Sequence, residues 1–136
     1  MNIEIFLPLP PTINSYYKKS RSHVRLSDKG RQFREEVSGS LLAQLGSSFV
    51  LPFEAPYNIT IVFYPPDKRR RDIDNMVKPL LDAITHAGIW EDDCLVNHLE
   101  IYRGTMVKPS GCCYVRIGEA GPLIPEPNRF NFNLLG

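Results

Sequence analysis

The sequence predicts a single small domain of the α+β (mixed α/β) class, a mixed sheet of about four strands packed with two main helices. Three observations predict it. A chain of 136 residues suits one compact domain. Segments that alternate apolar and polar residues interleave with segments that repeat every three to four residues, in the order β-α-β-α-β-β. Proline and glycine punctuate the boundaries, and the order places helices over a sheet. The domain spans residues 1–118, and 119–136 form a Pro- and Asn-rich tail.

The first strand is Asn2 to Leu7, where Ile3, Ile5 and Leu7 share a face and the prolines at 8, 10 and 11 end it. PPTINSYYKKSRSHVR, residues 10–25, lacks periodicity and reads as a long loop or irregular hairpin, a kind of segment that often carries function in small domains. Ser27 is the expected cap of the first main helix, whose apolar face is Phe33, Val37, Leu41 and Leu45, with Gly46 as its stop. YNITIVFY, residues 57–64, is the second strand, closed by Pro65 and Pro66. The second main helix buries Ile73, Val77, Leu80, Leu81 and Ile84 and stops at Gly88. A proline inside a helix costs about 3 kcal/mol but far less in the first turn. Pro79 therefore moves the helix start to Asp74 or Asn75, with a distortion at the proline. A third strand covers Leu95 to Arg103, and a hairpin at KPSG leads to a fourth, Cys112 to Ile117. In the tail, Phe130, Phe132, Leu134 and Leu135 are candidates to dock on a partner surface.

Composition is that of a globular protein, 43% hydrophobic and 23% charged, with no run approaching the roughly 20 apolar residues of a membrane span. The start, MNIEIFLPLPP, has no cationic region of the signal-peptide kind. Three cysteines, Cys94, Cys112 and Cys113, are an odd number without metal spacing, so a reduced cytoplasmic setting is expected. The histidines, His23, His86 and His98, have no metal-ligand spacing either. Net charge is only +1, yet 11 of the 16 Lys and Arg fall in two segments, 18–34 and 68–71. Such clusters form a local basic patch on a near-neutral protein, or merely solvated loops.

The second cluster runs into two carboxylates in RRRDIDNMVKPLLDA, residues 69–83. Asp72 and Asp74 share a side only if the backbone is extended; on a helix they diverge by about 200°. Close carboxylates repel, and a divalent cation relieves the conflict; magnesium takes oxygen ligands, often one or two carboxylates with water and phosphate. A third acid is available at WEDD as Asp92 or Asp93, if the following strand runs back beside the second one. Lys78 is placed to meet a phosphate. The plainer account makes one of Asp74 and Asn75 a helix cap, the acidic turn solvated, and Lys78 an ion-pair partner of Asp74 or Asp82.

The series D-x-D-N-x-x-K, then D-A, then W-x-D-D, together with LPLPPTINSYY near the start, resembles the RusA family of Holliday-junction resolvases over roughly residues 3–117. The resemblance implies a homodimeric endonuclease that binds four-way junction DNA and cuts opposing strands with Mg²⁺ or Mn²⁺. It places the essential, metal-binding acids at Asp72, Asp74 and Asp93 and the catalytic lysine at Lys78, with Asp92 beside them and Asn75, Asp82 and Trp90 as structural matches. Lys68, Arg69, Arg70, Arg71 and, from the earlier segment, Lys18, Lys19, Arg21 and Arg25 are then the expected phosphate-gripping residues, and Tyr16 and Tyr17 either stack on unpaired bases or belong to the core. Two competing readings are a non-catalytic module binding nucleic acid or protein, and a sugar-nucleotide transferase with a DxD motif. The second demands a larger nucleotide fold than 136 residues hold.

Overall fold

A computed structural model describes residues 1–119. Six strands and three α-helices follow in the order β1 (Asn2–Leu7), α1 (Ile13–Tyr16), β2 (Tyr17–Ser20), β3 (His23–Leu26), α2 (Asp28–Leu45), β4 (Tyr57–Tyr64), α3 (Val77–His86), β5 (Val96–Arg103) and β6 (Cys112–Gly118). Four of them form the main sheet in the order β1-β6-β4-β5. The β1–β6 and β6–β4 pairs are antiparallel, and β4–β5 is parallel. The parallel pair needs a long crossover, which α3 supplies. Beyond Glu119 the tail, with Phe130, Phe132, Leu134 and Leu135, lies outside the described residues.

Period-two alternation sorts each strand. Tyr57, Ile59, Ile61 and Phe63 of β4 are buried, as are Ile5, Leu7, Cys113, Val115 and Ile117 on its neighbours. These meet Phe33, Val37 and Leu41 of α2 and Leu80, Leu81 and Ile84 of α3 in one core. Full burial of an isoleucine such as Ile59 or Ile61 stabilises by about 1.5–3 kcal/mol. On the opposite side of the sheet Phe6 and Tyr102 are exposed.

Ser27 caps α2 as expected, its Oγ accepting from the Gly30 amide at 3.0 Å. The same hydroxyl donates to the Tyr16 carbonyl at 2.9 Å, so the end of α1 is stitched to the start of α2. Gly30 is explained by this closeness: a Cβ there would lie 2.4 Å from that carbonyl oxygen.

Three expectations need correction. Of the long loop or irregular hairpin expected over 10–25, a hairpin forms after α1, but as a regular two-stranded one, β2–β3, with Tyr17 opposite Leu26 and Lys18 opposite Arg25. The α-helix at Pro79 starts later than Asp74 or Asn75: Ile73–Met76 form a 3₁₀ turn and α3 begins at Val77. Pro79 is then the third residue of α3, where no intrahelical partner awaits its missing N–H, and it needs no distortion. Finally, β5 does not run back antiparallel to β4 but lies parallel to it, with Val96 opposite Tyr57.

Candidate active site

Asp72 keeps an extended backbone, φ −90° and ψ 123°, and Asp74 sits in the 3₁₀ turn that follows. Between and after them Ile73 and Met76 pack into the core, Met76 being fully buried, and both aspartates stay exposed. The Asp72 side chain makes no capping hydrogen bond. Among the described residues neither carboxylate has a hydrogen-bond or ion-pair partner, despite the four cations preceding them.

Two of those cations, Arg69 and Arg71, are turned to Asp67. Arg71 Nη1 donates to Asp67 Oδ1 at 2.6 Å and its Nη2 to Oδ2 at 3.3 Å. The Arg69 amide donates to Asp67 Oδ1 at 2.9 Å. The Arg71 side chain, followed by that amide, holds the Asp67 carboxyl down at about 2. Arg103, at the end of β5, donates from Nη2 to the Arg71 carbonyl at 2.5 Å and so fixes the peptide that leads into Asp72. Arg103 escaped the sequence reading because it lies 32 residues from Arg71 on a strand with no basic cluster.

Asp93 meets Lys78, Nζ to Oδ2 at 3.4 Å. Burial works against the lysine charge, but the Asp93 carboxylate outweighs it and raises the Lys78 pKa. Asp93 opens a short 3₁₀ turn, Asp93–Leu95, which Asp92 caps by accepting from the Cys94 amide at 3.0 Å. Asp92 thus has the capping role, and the ion-pair role of Lys78 falls to Asp93. Because β5 is parallel to β4, Asp93 precedes the strand end beside Tyr57 while Asp72 follows the other end of β4. Lys78, in the first turn of α3, is the residue that reaches Asp93 from the helix that follows Asp72 and Asp74.

Beneath Lys78, one turn along α3, Asp82 anchors a network. It accepts from Arg34 Nη2 at 2.7 Å and from the Tyr16 hydroxyl, and Arg34 Nε donates to the Tyr16 oxygen at 2.8 Å. Burial resists the Asp82 charge, yet the bonds from Tyr16 and Arg34 prevail and lower its pKa. Burial and the Asp82 bond raise that of Tyr16 far above the ordinary phenol value. Tyr16, wholly buried, is a core residue, and base stacking by it is excluded in this fold. Tyr17 is half-buried and meets Tyr16 edge-on, with ring centroids 4.8 Å apart. Burial, then the fields of Asp82 and Asp93, raise its pKa against the opposing fields of Lys78 and Arg34, which places it beside the lysine–carboxylate pair. Trp90 is structural, stacked on Tyr57 at 5.7 Å with its indole N–H donating to Thr85 Oγ1 at 2.6 Å.

The hairpin carries Lys18, Lys19, Arg21 and Arg25, all exposed. Lys18 stands directly opposite Arg25. Like charges in that position repel, and an anion bound between them removes the penalty.

As for a metal, the donors are chemically suitable: carboxylate oxygens for a hard divalent ion, two of them unpartnered. Among the described residues no three His, Cys, Asp or Glu side chains are gathered into a cage. Magnesium needs none, since it is commonly held by one or two carboxylates, water and substrate phosphate.

An α+β fold that presents free carboxylates, an adjacent lysine and a basic hairpin around one helix start belongs to the class of small proteins built to handle phosphodiesters. Comparison narrows this: the family model described as Endodeoxyribonuclease RusA matches residues 8–117. The chain is 35% identical over 116 residues to the crossover junction endodeoxyribonuclease rusA of Enterobacteria phage HK97, covering 85% of this chain and 93% of that protein. It is 36% identical over 117 residues to the protein of the same name from Enterobacteria phage 82, covering 86% and 94%. With the crossover junction endodeoxyribonuclease RusA of Escherichia coli strain K12 it shares 35% over 118 residues, again 86% and 94%. The chain therefore belongs to the RusA endodeoxyribonuclease family.

Proposed function

We propose that this protein is a structure-selective endonuclease that resolves four-way DNA junctions in recombination and repair, acting as a homodimer with a divalent metal. The observation that carries the reading is the pair of exposed carboxylates, Asp72 and Asp74, without partners among the described residues, beside a helix start that holds Lys78 against Asp93. Arg69 and Arg71 turn to Asp67 instead, and a pair kept free has its negative charge available to a metal.

Asp72, Asp74 and Asp93 would be the residues to hold Mg²⁺, or Mn²⁺ in its place. When bound, such an ion lowers the pKa of a water and polarises the scissile phosphate. Lys78 leaves Asp93 for the phosphate and stabilises the charge that develops on it. Lys68, Arg69, Arg70 and Arg71 grip the strand on one side, and Lys18, Lys19, Arg21 and Arg25 of the hairpin on the other, which makes binding steeply salt-dependent. Asp82, through Arg34 and Tyr16, fixes the root of that hairpin to the helix bearing Lys78. A second copy supplies the second cut that a two-fold junction requires.

The test is a cleavage assay on a synthetic four-way junction beside linear duplex, with and without Mg²⁺. Paired nicks on the junction alone, dependent on metal, support the proposal. Absence of metal-dependent cutting of any DNA would sink it.

A further inference from the structure

At the far end of β4 and β5 a cavity of about 310 Å³ opens against Arg71, the residue before Asp72. Lys68, Arg69, Arg71 and Arg103 line it, with Asp67 as its acid and Met106 as part of its apolar wall. Four cations against one carboxylate leave an excess of positive charge in a concave site. Both oxygens of Asp67 are already engaged by Arg71, so the acid orients that guanidinium and leaves Lys68, Arg69 and Arg103 uncompensated. Arg69 Nε approaches Asp67 only to 3.9 Å, and Lys68 has no partner among the described residues. Arg103 spends one N–H on the Arg71 carbonyl, and the remaining donors of its planar fork are unengaged.

We infer that this cavity is a dedicated subsite for a backbone phosphodiester flanking the one to be cut, with Arg103 as a ligand that β5 contributes. The inference rests on the endonuclease reading and deepens it. A guanidinium fork matches the geometry of two phosphate oxygens. Arg103 also holds the peptide preceding Asp72, so a phosphate seated here sets the register of the strand relative to the metal-binding acids.

The experiment is equilibrium binding of a four-way junction without divalent metal, across a salt series, for the wild-type protein, Arg103→Gln and Arg103→Lys. Arg103→Gln should bind roughly tenfold more weakly, with the salt slope reduced by about one, and Arg103→Lys should keep the slope. Junctions carrying one neutral methylphosphonate at each position around the cut then locate the contact. One flanking position should weaken the wild type and leave Arg103→Gln unaffected. A slope in Arg103→Gln equal to wild type, or a loss that adds to that of every methylphosphonate, overturns the subsite while leaving the nuclease reading intact. Wild-type protein that binds junction DNA with no salt dependence overturns both. Urea unfolding of each variant shows whether the fold is kept, and if Arg103→Gln unfolds, Arg103→Met takes its place in the same salt and methylphosphonate series with the same expected and overturning results.

Discussion

Replacing Asp82 by Asn separates the role of charge from that of shape in the network that joins the basic hairpin to α3. The Asp82 and Arg34 side chains are 24% and 26% exposed, so their ion pair is screened only in part. Asn preserves size but makes the Tyr16 bond neutral and reduces the Arg34 ion pair to a cation–dipole bond, leaving the guanidinium without its counter-charge. Hydrogen bonds to charged groups contribute about 1.5–3 kcal/mol against about 1 for neutral ones. After allowance for exposure, a loss of roughly 2 kcal/mol follows, or a fall in Tm of about 6–10 °C for a chain of this size. The pH dependence has a definite sign. The folded-state pKa of Asp82 is depressed, so the contribution is complete above the unfolded carboxylate value, near about 4, and disappears as pH falls through the lower folded value. Urea unfolding of wild type and Asp82→Asn at pH 7 and again near pH 2–3 checks this. The gap between them should be widest at pH 7 and shrink in acid. A gap of equal size at both pH values means that packing, not charge, holds the hairpin root, and the argument for the network fails.

Asp72→Asn should abolish junction cleavage and leave junction binding intact or tighter, since a negative charge beside phosphate is removed; cleavage and binding assays on the same preparation compare the two. Lys78→Met should slow cleavage yet tighten Mn²⁺ binding about two- to fivefold, because an exposed ion pair worth about 0.5–1 kcal/mol no longer competes for Asp93; calorimetric Mn²⁺ titration reads this, and weaker binding would contradict it. Neutralising Lys68, Arg69 and Arg70 together to Gln should weaken junction binding and lower its salt slope by about two to three, measured from 50 to 200 mM salt.

Much of the fold was legible because single-residue patterns dictate it. Alternation at Tyr57, Ile59, Ile61 and Phe63 specifies β4, and Ser27 and Gly46 mark the ends of α2. The regular pairing of the β2–β3 hairpin was not, because Lys18, Lys19, Arg21 and Arg25 leave no apolar face to read and its anchor, Tyr17 against Leu26, spans the turn. The parallel placement of β5 depends on how α3 crosses over, which no local pattern encodes. At the site, the family resemblance names Asp72, Asp74, Lys78 and Asp93, and neither the pairing of Lys78 with Asp93 nor the capping role of Asp92 could be read from spacing. The Tyr16–Arg34–Asp82 network and Arg103 are tertiary facts, formed between residues 16, 34 and 82 and between 71 and 103.

The central claim is that Asp72, Asp74 and Asp93 serve one divalent ion. Titrating Mn²⁺ into metal-free protein by calorimetry, for wild type and for Asp72→Asn, Asp74→Asn and Asp93→Asn, tests it without recourse to catalysis. The account predicts saturable binding in the wild type, weakened tenfold or more by each substitution alone. Wild-type affinity in Asp93→Asn, alongside loss in the other two, contradicts it.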